Sequence, residues 1–430
     1  MYSSTKARLK SVGKPFRALL ASDVLMIMSL MVGHVAVPWW IAHEGGAAHL
    51  AIYGAMMAMV AFVSMPLLSP LGDRYPKRSL ITVGLLMFVG EGLFMAALAS
   101  LGFYHLGLLI ALEAITVVAM SLILPASLSI AADLVEPHRL ADAISLQKSA
   151  QAAGRLMGPA LGGMMLAVSG TAGALWLHTG LVMLASMLAW RIPFIPKHPG
   201  KGGADRWWRD IRAGLSATWD VPIERGRIAI NFLVMVFYAP GVGMLVPLKV
   251  QSLGLSGAWL GACEAALSLG MLGGFLGGSS WLAESLGRYR VVILAIMVEG
   301  LALALAGYTR QPLVLVFAFA MIGLGLSVVQ LVGQTHRMLA IPEDFRSRMT
   351  SVGIMVAQIA GTLGPGIAGV TLLHFPIGPV YIVFGLAVFA SAFGYFVIPR
   401  YREFLSLDHT AVIGWYGKQY PKAFGRGEVK

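Results

Sequence analysis

The sequence predicts an all-α membrane protein with about twelve transmembrane helices, arranged as two pseudo-symmetric six-helix bundles. Its composition, its regularly spaced apolar runs and an internal repeat support this prediction. Hydrophobic residues make up 57% of the 430 residues and charged residues only 12%, whereas charged residues are roughly a quarter of an ordinary soluble domain. A soluble fold of this length could not bury so much apolar surface, so we expect the chain to lie in a bilayer.

Apolar runs long enough to cross a bilayer, which takes about 20 residues, recur along the whole chain. They cover residues 17–42, 50–71, 79–100, 106–131, 141–168, 172–192, 227–249, 258–283, 290–308, 312–336, 348–373 and 377–398. The longest connection falls near the middle, so we expect four parts. These are an N-terminal bundle at 1–192, a cytoplasmic linker with an interfacial helix at 193–226, a C-terminal bundle at 227–398 and a cytoplasmic tail at 399–430.

Basic residues predict the orientation, because Lys and Arg are retained on the cytoplasmic side of a membrane. With the N-terminus inside, 28 of the 32 Lys and Arg residues fall in segments predicted to be cytoplasmic. Lys249 and Arg310 fall outside, whereas Lys148 and Arg155 fall within spans. The asymmetry predicts a multi-pass protein of the cell inner (cytoplasmic) membrane, with an even number of helices and both termini in the cytoplasm.

The two halves of the chain repeat each other at an offset of about 208 residues. Glu91-Gly92-Leu93 returns as Glu299-Gly300-Leu301, and Ala150-Gln151-Ala152-Ala153-Gly154 returns in part as Ala357-Gln358-Ile359-Ala360-Gly361. Two repeated bundles with a binding site between them are the architecture of alternating-access transporters. The repeat therefore points to transport.

The loop between the second and third predicted spans carries the first motif. It reads Ser69-Pro70-Leu71-Gly72-Asp73-Arg74-Tyr75-Pro76-Lys77-Arg78. It resembles the G-x-L-a-D-r-x-G-r-k signature of the major facilitator superfamily, with Ser and Pro at the two glycine positions, and the resemblance implies that superfamily's fold over essentially the whole chain. A carboxylate beside bases at a helix end can cap a neighbouring helix and hold the cytoplasmic side shut, whereas a solvated loop is the alternative. The gating candidates are Asp73, Arg74, Lys77, Arg78 and, from the second half, Glu284 and Arg288.

A row of glycines in the fifth predicted span resembles the antiporter motif of exporters in this superfamily. Its members are Gly154, Gly158, Pro159, Gly162 and Gly163, and the second half repeats the pattern at Gly361, Gly364 and Pro365. Glycines at this spacing form a smooth face that another helix can approach closely. Ordinary helix packing is the alternative, so the direction of transport rests on the resemblance.

Further segments resemble the enterobactin-exporter and macrolide-efflux group within the superfamily. They include residues 125–126, 132–135, 140–143 and 155–163, and in the second half residues 337–342 with Arg346 and Arg348. The resemblance implies a secondary active transporter that exports a siderophore or an amphiphilic drug by alternating access, with proton antiport as the usual coupling. An importer of a metabolite or siderophore, or a lysophospholipid flippase, is the alternative. An intramembrane enzyme would need a catalytic constellation for which the charged residues form no motif, so we do not expect an enzyme.

Ionisable side chains inside the spans are candidates for function, because a charge in lipid is costly unless it is sheltered. The proton-coupling candidates are Asp23, His34, Glu113 and Glu264. Asp23 and Glu113 are preferred, because carboxylates in a low-dielectric cavity are suited to carry protons. A permanent ion pair with a base of the fifth span is the alternative for each. We interpret Glu91 and Glu299 as structural.

Polar side chains also offer contacts for a substrate. Lys148, Gln151 and Arg155 follow i, i+3, i+7 spacing, which predicts a polar stripe on one helix. The two cations would anchor an anionic substrate. Gln330 and Gln334 would supply hydrogen bonds from the second half.

Other features of the sequence concern partners and cofactors. Residues 206–219 place Trp and Arg on separate stripes, which predicts an interfacial helix on the cytoplasmic leaflet. The single cysteine, Cys263, excludes an internal disulfide and a cysteine-rich metal site. No P-loop sequence occurs, which disfavours an ATP-driven pump. We expect the lipid bilayer, a small-molecule substrate and protons as partners, a monomeric state, and no cofactor, metal or nucleic acid.

Overall fold

The computed structural model describes residues 13–68, 75–135, 140–195, 204–408 and 410–425. Within these ranges the chain is mostly helical and contains no strand. Of the described helices, 10 are long and apolar enough to cross a membrane. Two of the ten are each divided at a glycine and supply two segments, which accounts for the twelve predicted spans. The predicted fold class is confirmed.

Contacts divide the chain into two units, and the first comprises residues 1–201 and 254–265. Its helices include α1 (Gly13–Leu68), α2 (Lys77–Ser100), α3 (Leu106–Leu134) and α4 (Leu140–Ala189). The helical path of α1 is broken at Gly46 and that of α4 at Gly170, where φ is 64° and 65°. Glycine adopts such positive φ values readily because it has no Cβ.

The second unit comprises residues 202–253 and 266–430. The remaining helices are α5 (Ala204–Asp220), α6 (Pro222–Val242), α7 (Leu245–Ser252), α8 (Gly257–Gly273), α9 (Ser279–Leu286), α10 (Arg288–Tyr308), α11 (Pro312–Val328), α12 (Thr335–Ala340), α13 (Glu343–Leu372), α14 (Ile377–Ser391), α15 (Tyr401–Ser406), α16 (Trp415–Gln419) and α17 (Pro421–Phe424). Of these, α8 begins in the first unit and ends in the second. π-helical turns at Gly274–Gly278 and Val329–Gln334 follow α8 and α11.

Apolar side chains from the helices of the first unit form one buried core. Phe16 of α1 and Phe88 of α2 are 0% exposed, and Ile123 of α3 is 1% exposed. Other large apolar side chains point outward: Phe94 is 66% exposed and Val168 78%. Apolar groups both inside and outside are expected of helices that pack together within lipid, since extended apolar patches are rare on soluble monomers.

Close helix packing in both units occurs at the predicted glycine rows. A Cβ added at Gly154 of α4 would lie 2.9 Å from the backbone oxygen of Val24 on α1, and one at Gly158 would also meet the α1 backbone. In the second unit, a Cβ added at Gly364 of α13 would lie 2.5 Å from the backbone oxygen of Val236 on α6. These helices therefore approach more closely than a larger residue allows. The other predicted members of the rows, Pro159, Gly162, Gly163, Gly361 and Pro365, lie in α4 and α13.

The linker and tail segments pack on the second unit. In α5, a Cβ added at Gly214 would lie 2.7 Å from the backbone oxygen of Arg348 on α13, while Trp219 of the same helix is 64% exposed. In the tail, the Gly414 backbone N–H donates to Leu339 O at 2.9 Å. The domain limits and the membrane-surface position of α5 stay predictions.

Candidate functional site

Asp23 of α1 is 3% exposed and lies among neutral hydrogen-bond donors. Its carboxylate accepts hydrogen bonds from Ser127 Oγ of α3 at 2.9 Å and from Gln147 Nε2 of α4 at 2.7 Å. Gln147 Nε2 also donates to Ser127 O at 3.1 Å. A hydroxyl and an amide from two other helices therefore hold this carboxylate in place.

The predicted polar stripe of α4 is divided between two environments. Gln151 is 7% exposed and lies beside Asp23, with which its side chain interacts. Lys148 and Arg155 are exposed. Residues at i, i+3 and i+7 spread over roughly 60° of a helix, so such a stripe can straddle the edge between a buried and an exposed face. Gln151 adjoins the Asp23 network, and the two cations lie on the exposed side.

A second polar cluster in the first unit surrounds His178 of α4. Its Nε2 lies 3.3 Å from Glu91 Oε2 of α2, and the two side chains are 4% and 1% exposed. Its Nδ1 lies 2.9 Å from the backbone oxygen and 3.1 Å from the Oγ of Ser29 on α1. The ring of Phe88 packs edge-on against the imidazole, with 5.1 Å between ring centroids. The sequence interpretation gave Glu91 a structural role and missed His178, although a histidine inside a predicted span was a usable signal.

The other proton-coupling candidates also belong to the first unit. Glu113 of α3 is half-buried and interacts electrostatically with Glu91 and His178. His34 of α1 is exposed and interacts electrostatically with His178. Glu264 of α8 is half-buried beside a buried cysteine. The first unit thus brings Glu113 close to the cluster around His178.

The second unit buries the repeated glutamate in different surroundings. Glu299 of α10 is 3% exposed, and its Oε1 has no hydrogen-bond partner among the described residues. Gly325 of α11 packs against it, since a Cβ added there would lie 2.6 Å from Glu299 Cγ. Gln330 and Gln334 lie in the π-helical turn after α11, and both are exposed.

A comparison with models of protein families identifies the family to which this chain belongs. The family model described as the Major Facilitator Superfamily matches residues 19–283 and 278–409. The chain belongs to the major facilitator superfamily. The resemblance carried by the sequence motifs is therefore confirmed, and both the family and the fold are those of membrane transporters.

Two curated relatives match this transporter along most of their length. The multidrug efflux pump Tap of Mycolicibacterium fortuitum is 23% identical over 390 residues, which cover 86% of the present chain and 92% of Tap. The uncharacterized MFS-type transporter YfiS of Bacillus subtilis (strain 168) is 23% identical over 397 residues, which cover 87% and 92% of the two chains.

Solved structures of transporters share the fold. A point mutant of the nucleoside transporter NupG is 14% identical with a TM-score of 0.69, covering 89% of this chain and 99% of NupG. A point mutant of the peptide transporter POT is 13% identical with a TM-score of 0.71, covering 91% and 95%. A bacterial homolog of the human lysosomal transporter Spinster is 13% identical with a TM-score of 0.64, covering 98% and 99%. At these identities the likeness shows the fold alone.

The candidate gating residues of the transporter's first unit are only partly described. Asp73 and Arg74 lie outside the described residues. Lys77 and Arg78 begin α2, and Arg78 Nη2 donates to Trp190 O at 3.0 Å. This bond joins the start of α2 to the residue that follows α4.

The second-unit gating candidates line a cavity. Glu284 and Arg288 lie on its wall, together with Arg290 and Arg402, and its volume is about 680 Å³. Arg288 Nη1 donates to Leu407 O at 2.9 Å. The tail therefore contributes to the surroundings of these candidates, which the sequence did not predict.

A buried ionic cluster ties the tail of the transporter to α6, and the sequence interpretation missed it. Glu224 is 0% exposed and accepts hydrogen bonds from Arg337 Nε at 2.8 Å and Arg227 Nη2 at 3.2 Å. Tyr416 OH donates to the same carboxylate at 3.0 Å. Burial and the neighbouring Glu224 raise the pKa of Tyr416 well above its usual range, so the hydroxyl remains a donor. The i, i+3 spacing of Glu224 and Arg227 was the only local sign of this cluster.

Proposed function

We propose that this transporter exports an amphiphilic small molecule, either a siderophore or a drug, by alternating access with proton antiport. The observation that carries the proposal is the similarity to a multidrug efflux pump over 86% of the chain. The glycine row of α4, which resembles the antiporter motif, supports the same direction of transport. Solved relatives include transporters of nucleosides and peptides, so the fold by itself leaves the substrate open.

Asp23 is the proposed proton carrier of the export cycle. A hydroxyl can donate to a carboxylate or accept from a carboxylic acid, and an amide offers both a donor and an acceptor. Ser127 and Gln147 can therefore partner Asp23 in its charged and its neutral form. Because these partners are neutral, protonation of Asp23 leaves no buried positive charge without a counter-charge. A proton can therefore bind to Asp23 and leave it again with the same partners in place.

Polar groups near this network are the proposed contacts for the substrate. Lys148 and Arg155 are exposed on α4, the helix that also supplies Gln147 and Gln151 to the Asp23 network. Their positive charges suit an anionic substrate, and siderophores often carry carboxylate, catecholate or phenolate oxygens. We assign Gln330 and Gln334 a hydrogen-bonding role; they too are exposed.

The proposed location is the cell inner membrane, with both termini in the cytoplasm. The distribution of basic residues supports it, because 28 of the 32 Lys and Arg residues fall in segments on one predicted side. In this orientation, inverted membrane vesicles present the substrate-entry side of an exporter to the medium.

Transport into inverted vesicles tests both direction and coupling. With the vesicle interior acidified, a proton-driven exporter accumulates a probe such as ethidium, a cationic amphiphile, or a catecholate siderophore. Asp23→Asn should abolish the dependence on the pH gradient, because the side chain can no longer ionise. Asp344→Asn, at an exposed aspartate in the first turn of α13, is the matched control and should behave as wild type. Accumulation of the probe only in right-side-out vesicles would show that the protein is an importer and that the proposed direction of transport is wrong.

A further inference from the structure

The hydrogens around His178 can be assigned from the atoms that face its ring. Nδ1 lies 2.9 Å from the backbone oxygen of Ser29, and a carbonyl oxygen can only accept a hydrogen bond. Nδ1 must therefore carry a hydrogen. The Ser29 hydroxyl cannot donate its hydrogen to Nδ1, because it donates that hydrogen to His178 O at 2.8 Å. Its Oγ can therefore only accept a hydrogen bond from Nδ1.

This assignment determines what the other side of the ring can do. A neutral imidazole with hydrogen on Nδ1 has a bare lone pair on Nε2. That nitrogen lies 3.3 Å from Glu91 Oε2, with both side chains almost fully buried. A lone pair facing an ionised carboxylate at this distance would be repulsive. The contact is favourable only when one proton lies between the two groups, either on the imidazole or on the carboxyl.

We propose that Glu91 and His178 form a proton-binding site in the membrane, which holds one exchangeable proton during part of the transport cycle. The proposal rests on the proposed proton antiport and adds a site separate from Asp23. When the proton leaves, the contact between α2 and α4 changes from attraction to repulsion. Proton release therefore loosens two helices that the protonated pair holds together.

Other titratable and charged groups face the pair from the surrounding helices. Glu113 of α3 interacts with both members, and when Glu113 is ionised its negative charge favours the protonated pair. Tyr53 of α1 interacts with Glu91 and Glu113. His34, also on α1, interacts with His178 and with Arg155 of α4, and positive charge there opposes protonation.

The internal repeat provides a matched control for the pair. Glu299 occupies the position equivalent to Glu91, and it is 3% exposed compared with 2% for Glu91. Among the described residues, no histidine interacts with the Glu299 carboxyl group. Glu299→Gln therefore removes a buried carboxyl group of the same kind without removing a shared proton.

Nuclear magnetic resonance of the full-length protein in lipid nanodiscs tests proton binding without transport. The protein carries ¹⁵N-labelled histidine, and His178→Asn identifies the signals of this ring. We expect the His178 signals to change between about pH 5 and 9, a range that brackets the usual histidine pKa. Glu299→Gln should leave this change intact. Glu91→Gln should eliminate it, because the amide N–H can donate to a permanently neutral Nε2.

Either of two results would overturn the proposed site. His178 signals that stay constant with pH in the wild-type protein show that the pair exchanges no proton. Signals in Glu91→Gln that change as in wild type show that the carboxyl group plays no part. Size-exclusion profiles identify any variant that fails to fold. If Glu91→Gln fails to fold, Glu91→Asp is measured in its place. Glu91→Asp keeps the carboxyl group and should retain a pH-dependent His178 signal.

Uptake into inverted vesicles then tests whether the proton is used in transport. We expect Glu91→Gln to lose the component of ethidium uptake that an imposed pH gradient drives, and Glu299→Gln to retain it. Gradient-driven uptake that is equal in Glu91→Gln and wild type would overturn this inference while leaving the proposed export intact. If the wild-type protein accumulates no probe, the proposed function fails, and the magnetic resonance result still decides whether the pair binds a proton.

Discussion

The two units of the transporter bury their charged groups in different ways. In the first unit, Asp23 lies among neutral donors and Glu91 faces a histidine. In the second unit, Glu224 lies between Arg227 and Arg337, whose guanidinium groups remain charged at all physiological pH values. The first arrangement can gain or lose a proton with its partners in place, whereas the second is a fixed ion cluster. We therefore propose that the first unit carries exchangeable charge, whereas the Glu224 cluster of the second unit carries structural charge.

The repeated glutamates show the same difference at equivalent positions. Glu91 and Glu299 both precede Gly-Leu and are both buried. Glu91 meets His178 from α4, but the α4 repeat, which pairs Ala150 with Ala357 and Gly158 with Gly364, places Gly385 or Phe384 at the corresponding position, and neither can share a proton. Gly325 packs against Glu299 instead. A sequence repeat thus preserves the position of a carboxyl group without preserving its chemistry, because the partner comes from another helix.

The largest effect that we expect in the second unit follows from Glu224→Gln. Removing this carboxylate leaves the buried guanidinium of Arg337 and the partly buried guanidinium of Arg227 without their counter-charge, and breaking a buried ion pair costs about 3–5 kcal/mol. We expect a loss of that size in the free energy of unfolding, measured by denaturant titration of the purified protein in micelles. Any folded variant should keep the pH dependence of transport, since the cluster exchanges no proton.

The exposed pair in α13 is the control for this change. Glu343 and Arg346 lie 3.3 Å apart with the Glu343 side chain 84% exposed, and exposed ion pairs contribute little to stability. Glu343→Gln should therefore leave the unfolding curve almost unchanged. If the Glu224→Gln protein were as stable as wild type, the Glu224 cluster would not be a structural ion cluster. The proposed contrast between the two units would then be wrong.

A smaller loss is expected from Tyr416→Phe, which removes one hydrogen bond to the same cluster. Hydrogen bonds to charged groups contribute roughly 1.5–3 kcal/mol. Because the pKa of Tyr416 is raised in the folded protein, the folded state keeps a proton that the unfolded chain releases above about pH 10. The stabilisation by Tyr416 is therefore present below that pH and declines above it. Denaturant titrations at several pH values should show a constant gap between wild type and Tyr416→Phe up to about pH 10, and a narrowing gap beyond it.

The sequence predicted the spans well because span length and hydrophobicity are local properties. It did not predict Gln147 and Ser127 as partners of Asp23, since the three residues lie on different helices and their contacts depend on packing. The contact of His178 with Glu91 joins positions 87 apart in sequence, and the hydrogen bond from Tyr416 to Glu224 joins positions 192 apart. Helical spacing grouped Gln151 with two cations, but packing against α1 buried only the glutamine.

The smallest effect concerns substrate preference, and it tests whether the exposed cations of the first unit act on the substrate. If Arg155 contacts an anionic substrate, Arg155→Gln removes one favourable charge interaction and retains a polar side chain. We expect uptake of a catecholate siderophore into inverted vesicles to fall about tenfold, which corresponds to about 1.4 kcal/mol of lost interaction. Uptake of the cation ethidium should stay unchanged or rise, because a like charge has been removed. Arg290→Gln is the matched control, since Arg290 lies in the cavity of the second unit and should not discriminate between the two probes. Equal losses for both probes in Arg155→Gln would give Arg155 a structural role and would remove the proposed anion anchor from the first unit.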